Sequence, residues 1–121
     1  MDTPMEQTST LPASADIHAL ADQAGDAARL LKLLANERRL QVLCELARAG
    51  EMTVGDLAEA VWLSQSALSQ HLSLMRESGL VGFRREGQTL HYAIVDPVAS
   101  QLLMTLKDIY CGPLPPPKQG K

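Results

Sequence analysis

The apolar residues of this chain recur at intervals of three and four along most of its length and switch to strict alternation once. Ile17, Leu20, Ala24, Ala27, Leu31 and Leu34 predict one helix that begins near Asp16, a residue suited to cap it, with Gly25 weakening its middle. Asn36 predicts the cap of a second helix, with Glu37 in its first turn. The inner face of that helix reads as Leu40, Leu43, Cys44 and Ala47, and Gly50 follows its end. Met52-Thr53 reads as a brief extended link. Thr53 and Asp56 then have the spacing of a capping box, and Val54, Leu57, Ala58 and Val61 give a short third helix. After the Trp62-Leu63 corner, Ser64 is placed to cap a fourth helix with the apolar stripe Leu68, Leu72 and Met75, and Gly79 falls just past its end.

The period then becomes two. Val81, Phe83 and Arg85 alternate with Gly82 and Arg84, and after Glu86-Gly87-Gln88 the residues Leu90, Tyr92 and Ile94 alternate with Thr89, His91 and Ala93. Gly87 can supply the positive φ of a tight turn, so the segment predicts a hairpin. Asp96-Pro97 starts a last helix, which Cys111-Gly112-Pro113 ends. The fold class expected is mainly α with a small β-hairpin wing, in the order α-α-α-α-β-β-α. Residues 1–15, rich in Thr, Ser and Pro without period, read as a disordered N-terminal segment, residues 16–111 as one domain, and residues 112–121 as a flexible tail.

The fourth helix carries an unusual second face. Ser64, Gln65, Ser66, Ser69, Gln70 and Ser73 stand where a solvated helix would carry Lys and Glu, which are better helix formers. Short hydroxyls and amides allow close approach to a groove and can donate to and accept from base edges and phosphates. Taken alone, such a face also fits a polar surface helix. Two helices joined as tightly as the third and fourth form a helix-turn-helix, and a hairpin after one is a wing. Arg84 and Arg85 at its tip would then grip backbone phosphate or a minor groove; the alternative is an edge hairpin with solubilising charges.

Composition narrows these readings. The 121 residues carry a net charge of −3, which excludes a generically basic coat of nucleic acid but not a duplex binder with arginines gathered at one face. Aromatic residues make up 3% of the chain, too few for the stacking platforms of a single-strand binder. No apolar run is long enough to cross a membrane, and the N-terminus lacks the basic start and apolar stretch of a secretory signal, so a cytoplasmic protein without membrane contact is expected. Val98, Leu102, Leu103, Leu106, Ile109 and Tyr110 make the last helix apolar on more than one side. A single small domain has little to cover it with, which predicts a homodimer through the first and last helices.

Several stretches resemble the ArsR/SmtB family of winged-helix repressors. They are Leu33-Leu34-Ala35-Asn36-Glu37-Arg38-Arg39-Leu40, Leu57-Ala58, Leu63-Ser64-Gln65-Ser66-Ala67-Leu68-Ser69-Gln70-His71-Leu72, Gly79-Leu80-Val81 and Arg84-Arg85-Glu86-Gly87-Gln88. The resemblance implies a homodimer on double-stranded operator DNA, with each recognition helix in a major groove and pseudo-palindromic half-sites about 34–36 Å or a multiple apart. Where metal-sensing members carry cysteines near the third helix, this chain has Val54, Gly55 and Asp56, and its last helix offers only Asp108. No metal site and no cofactor is therefore expected. Trp62 occupies a corner where the family often has Gly; either the turn takes another conformation, or Trp62 is strained or packs outward.

The chain has two cysteines, Cys44 and Cys111. By periodicity Cys44 reads as a small core residue rather than a reactive thiol, whereas Cys111, at a helix end beside Gly and Pro, has better access. The resemblance adds another reading. In the BigR/SqrR/HlyU-like subgroup one Cys lies in the second helix and one at the end of the last, and Leu43-Cys44 and Ile109-Tyr110-Cys111-Gly112 match both positions. The resemblance then implies a sensor of reactive sulfur species or oxidants, in which a disulfide or polysulfide bridge between Cys44 and Cys111 weakens operator binding and derepresses transcription.

Other readings remain open: a metal- or arsenite-responsive repressor of the same family, an activator that displaces a silencing protein, and a winged helix that binds protein rather than DNA. A thiol enzyme is disfavoured, because no Cys-x-x-Cys pair, Ser/His/Asp order or phosphate-cradling loop is present. No catalytic residue is assigned. His71 reads as lying at the shoulder of the fourth helix and His91 on the open face of the wing.

Overall fold

The computed structural model describes residues 14–112. Among them are six helices and three strands: α1 (Ser14–Asp22), α2 (Ala24–Leu34), α3 (Glu37–Ala49), β1 (Met52–Thr53), α4 (Val54–Val61), α5 (Gln65–Glu77), β2 (Val81–Glu86), β3 (Thr89–Ile94) and α6 (Pro97–Cys111). Of the segments expected to be structureless, residues 1–13 and 113–121 lie outside the described residues, while Ser14 and Ala15, expected within the first, open helix α1. The chain divides into two units, one ending at Lys32 and one beginning at Leu33.

The single first helix expected from periodicity is two. The Gln23 N–H bonds back three residues to Leu20 at 2.9 Å, and the ladder resumes from the Gln23 carbonyl to the Ala27 N–H at 3.0 Å. The break falls at Gln23 rather than at Gly25, and α1 begins at Ser14, so Asp16 sits within its first turn instead of capping it. One turn residue leaves the spacing of Leu20, Ala24 and Ala27 intact, which is why the pattern reads straight through it.

From Asn36 onward the local signals and the observed elements agree closely. Asn36 caps α3 by accepting the Arg39 N–H at 3.0 Å, Thr53 caps α4 from the Asp56 N–H at 3.2 Å, and Asp96 caps α6 from the Val98 N–H at 2.9 Å. Pro97 occupies the first turn of α6. Gly79, at φ 79°, turns the chain out of α5 while Leu80 N–H reaches back to Met75 at 2.9 Å.

Strands β2 and β3 form the expected hairpin, from Val81 opposite Ile94 to Glu86 opposite Thr89, closed by Gly87 at φ 64°. The extended link at Met52-Thr53 is a third strand. It pairs antiparallel with β3 through Met52 opposite Tyr92 and Thr53 opposite His91, giving the order β1-β3-β2.

The core of the second unit is contributed by Leu57, Ala58 and Val61 of α4, Leu68, Leu72 and Met75 of α5, Leu80, Val81 and Tyr92 of the wing base, and Ala99 and Leu103 of α6. Helix α3 adds Val42, Leu43 and Leu46, a stripe rotated from the expected one. Of the expected inner face only Leu43 is buried; Leu40 is half-buried, and Cys44 and Ala47 are exposed. Leu40, Val42, Leu43, Cys44, Leu46, Ala47 and Ala49 crowd one short helix and support two overlapping stripes. Packing buries the bulkier one, because removing a Val or Leu side chain from water contributes roughly 1.5–3 kcal/mol and a smaller residue contributes less.

Candidate functional site

Helix α5 has two faces of opposite character. Leu68, Leu72 and Met75 are buried, whereas Ser64, Gln65, Ser66, Ser69, Gln70 and Ser73 are all exposed. Ser64 caps the helix by accepting the Ala67 N–H at 3.0 Å, and no acidic side chain lies in the first turn. The positive end of the helix dipole is therefore left open beside short polar groups, which suits an approaching phosphate backbone. His71 lies on the shoulder of this helix, half-buried. Burial, and then the charges of Arg39 and Arg38, push its pKa below the ordinary histidine value.

The corner before α5 is set by Trp62, which takes the left-handed conformation at φ 62°, ψ 41° and leaves its side chain 87% exposed. Of the alternatives open for this residue, strain and outward packing both hold. Leu63 N–H bonds to the Ala58 carbonyl at 3.0 Å and Trp62 N–H to that of Glu59 at 3.4 Å, so the turn closes as a glycine-ended helix would. Arg38 braces it, donating to the Val61 carbonyl at 2.9 Å.

The wing does not hold its two arginines alike. Arg84 meets the carboxylate of Glu51 through two bonds, Nε to Oε2 at 2.9 Å and Nη2 to Oε1 at 3.0 Å, and reaches Glu86 at 3.3 Å. Arg85 is exposed and has no ion pair among the described residues. His91 does not stand open: it is half-buried, and its Nε2 lies 3.2 Å from Glu86 Oε1. The arginine hydrogen bonds hold the Glu51 carboxyl below its ordinary range. Two further positions carry weight that sequence reasoning missed. Glu51 pairs with a residue 33 positions away, and no local pattern marks such a partner. Arg76, in the last turn of α5, lies 4.6 Å above the Phe83 ring, which in turn packs on Tyr92 at 5.3 Å between centroids. This stack ties the helix to the wing.

Both cysteines are free and exposed. Cys44 opens on a groove of about 410 Å³ whose walls include Arg38, Leu40, Val61 and Trp62. Its thiol is harder to ionise than an ordinary cysteine: partial desolvation raises its pKa most, followed by the charges of Cys111 and Glu45. Among the described residues, no group of three or more His, Cys, Asp or Glu is placed to hold a metal ion, and no helix is long and apolar enough to cross a membrane.

Residues 36–82, from the cap of α3 into β2, match the family described as "Bacterial regulatory protein, arsR family". The chain is similar to the transcriptional activator HlyU of Vibrio cholerae, at 42% identity over 79% of this chain and 88% of the relative. It is also similar to the biofilm growth-associated repressor of Agrobacterium fabrum, at 36% identity over 93% of this chain and 94% of the relative. Among solved structures, the transcriptional repressor BigR from Xylella fastidiosa superposes with a TM-score of 0.71 at 34% identity, covering 83% of this chain and 98% of that one. The shared fold is the winged helix-turn-helix, with α4 and α5 as its helix pair and β2–β3 as its wing, and the family comprises DNA-binding transcriptional regulators rather than enzymes. The chain is a member of the bacterial arsR family of transcriptional regulators, in its HlyU/BigR-like branch.

Proposed function

We propose that this regulator is a thiol-switched repressor. Its reduced homodimer lays α5 of each chain into a major groove of a pseudo-palindromic operator. Ser64, Gln65, Ser66, Ser69, Gln70 and Ser73 face the DNA, and the β2–β3 wing is carried to the flanking backbone. The surfaces covered in the dimer are the apolar ones that the single chain leaves exposed, among them Leu20 and Leu31 before α3 and Val98, Met104, Ile109 and Tyr110 on α6.

Cys44 and Cys111 form the switch. One thiolate attacks the outer sulfur of a low-molecular-weight persulfide and releases the corresponding thiol. The second thiolate attacks the inner sulfur of the resulting cysteine persulfide, expels hydrosulfide and closes a disulfide. Retention of extra sulfur gives a longer bridge. With an oxidant, two electrons and two protons leave the pair instead. Fastening α6 to α3 changes the setting of the two α5 helices in the dimer, lowers operator affinity and derepresses the target genes.

The observation that carries this reading is the pair of free, exposed thiols, Cys44 on α3 and Cys111 at the end of α6, with the charge of Cys111 among the causes that raise the Cys44 pKa. The test is a gel shift of reduced and polysulfide-treated protein, with Cys44→Ser and Cys111→Ser as controls. Treatment should weaken wild-type binding and leave both variants unchanged; unchanged wild-type affinity ends the switch reading. A second reading, activation by displacing a silencing protein, draws on the name of the HlyU relative, a transcriptional activator. It predicts the same DNA contacts and the opposite sign of regulation in a reporter assay.

A further inference from the structure

A β-strand sends successive side chains to opposite faces of its sheet. In β2, Val81, Phe83 and Arg85 share one face, and Gly82, Arg84 and Glu86 share the other. The first face is turned toward α5: Arg76 of that helix caps the Phe83 ring, and Phe83 packs on Tyr92, its partner in register. Arg85 continues this row toward the wing tip and has no ion pair among the described residues.

The second face is a closed set of charges. Glu51 lies between the end of α3 and β1, on one flank of the three-stranded sheet, and Arg84 lies on β2, the other flank, with β3 between them. Their two-pronged bond therefore clasps the outer strands across the central one. Glu86 Oε1 takes a further arginine nitrogen at 3.3 Å and His91 Nε2, from β3, at 3.2 Å. Three of the five N–H donors of Arg84 go to carboxylates, and a phosphate would meet two acidic groups around that single guanidinium. Strand β1 is only two residues long and has two register partners on β3, so the clasp adds a third fastening where the ladder is shortest.

We propose that the two wing arginines have separate roles: Arg85 is the wing's contact with the DNA backbone, and Arg84 is a positioning residue that Glu51 holds across the sheet to fix the wing. The assignment rests on the DNA-binding reading above. It follows from the planar fork of a guanidinium, which can grip both oxygens of a carboxylate at once, whereas a lysine ammonium is a point charge.

The experiment compares Arg84→Gln, Arg84→Lys, Arg85→Gln and Glu51→Gln in the full chain. A duplex recovered from a random-sequence library by the wild-type protein serves as probe, titrated by fluorescence anisotropy over a salt series. Loss of one phosphate contact per chain is two per dimer, and should lower the slope of log affinity against log salt by roughly 1.8 and weaken binding roughly sixtyfold at about 0.1 M salt. Arg85→Gln is expected to do this, and Arg84→Gln to leave the slope unchanged. Hydrogen exchange without DNA gives the second readout. The β2 and β3 amides should exchange faster in Arg84→Gln, Arg84→Lys and Glu51→Gln, and at the wild-type rate in Arg85→Gln. Equal loss of slope in the two glutamine variants overturns the division of roles, as does wild-type exchange in Arg84→Gln and Glu51→Gln. If the wild-type chain selects no duplex, the DNA reading fails and takes the role of Arg85 with it, while the exchange measurement still decides the role of Arg84.

Discussion

The charge of Cys111 helps to raise the pKa of the exposed Cys44 thiol, although one residue lies on the third turn of α3 and the other ends α6. Desolvation is the larger cause and the neighbouring Glu45 the smaller. The two effects that involve charge can be removed separately by substitution.

That gives a prediction about reactivity with a definite sign. Raising a thiol pKa lowers its thiolate fraction at a given pH, and the thiolate is the nucleophile. Cys111→Ser removes one of the raising causes, so Cys44 should titrate at lower pH and react faster with iodoacetamide at each pH below its midpoint. Glu45→Gln should act in the same direction more weakly. The check is a pH series of alkylation rates followed by mass spectrometry; a rate for Cys44 in Cys111→Ser equal to or below that of the wild type contradicts it.

Trp62 makes a prediction about stability. An L-residue in the left-handed region is strained by about 1–2 kcal/mol, which glycine avoids while losing about 0.5–1 kcal/mol more backbone entropy on folding. The indole is 87% exposed, so its removal gives up little buried surface. Trp62→Gly should therefore stabilise the chain by roughly 0.5–1 kcal/mol, seen as a higher urea midpoint by circular dichroism. A lower midpoint would mean that Trp62 packs against something in solution that outweighs its backbone strain.

Ser64 combines a cap with a place on the face proposed to meet DNA, and two substitutions separate the roles. Ser64→Ala removes the acceptor for the Ala67 N–H and should cost about 1 kcal/mol of stability. Ser64→Asp keeps a cap and adds favourable charge at the helix N-terminus, so stability should hold. The same carboxylate faces phosphate, so operator affinity should fall. Unfolding curves and anisotropy titrations of the two variants test this together; retained affinity in Ser64→Asp would place the start of α5 away from the DNA.

His71 predicts a dependence on acid. Its folded pKa lies below the ordinary value because of burial and the two nearby arginines. The unfolded chain then binds the proton more readily, so this contribution to stability is present above the ordinary histidine pKa and is lost as pH falls through it toward the folded value. His71→Gln should flatten that part of the stability curve, measured by denaturant unfolding between neutral and mildly acidic pH.

Local signals were strong from Asn36 to Cys111. The caps at Asn36, Thr53, Ser64 and Asp96, the change of period at Val81 and the turn at Gly87 each depend on residues within a few positions of one another. The polar face of α5 was legible for the same reason: Leu68, Leu72 and Met75 can lie on the buried side only if Ser66, Gln70 and Ser73 do not. The buried face of α3 was not legible, because its apolar residues satisfy two stripes and only the neighbouring elements choose between them.

The sequence by itself determined the kind and order of most elements and the faces of α5, because hydrogen bonds and side-chain periods that span three or four residues are written locally, and the resemblance of its motifs pointed to the family. Tertiary structure decided that Cys44 is exposed, that Trp62 accepts a left-handed backbone, and that Glu51 engages Arg84 while Arg85 has no ion pair among the described residues. Those relations join residues from different elements, and only the packing of one element on another fixes the distances between them.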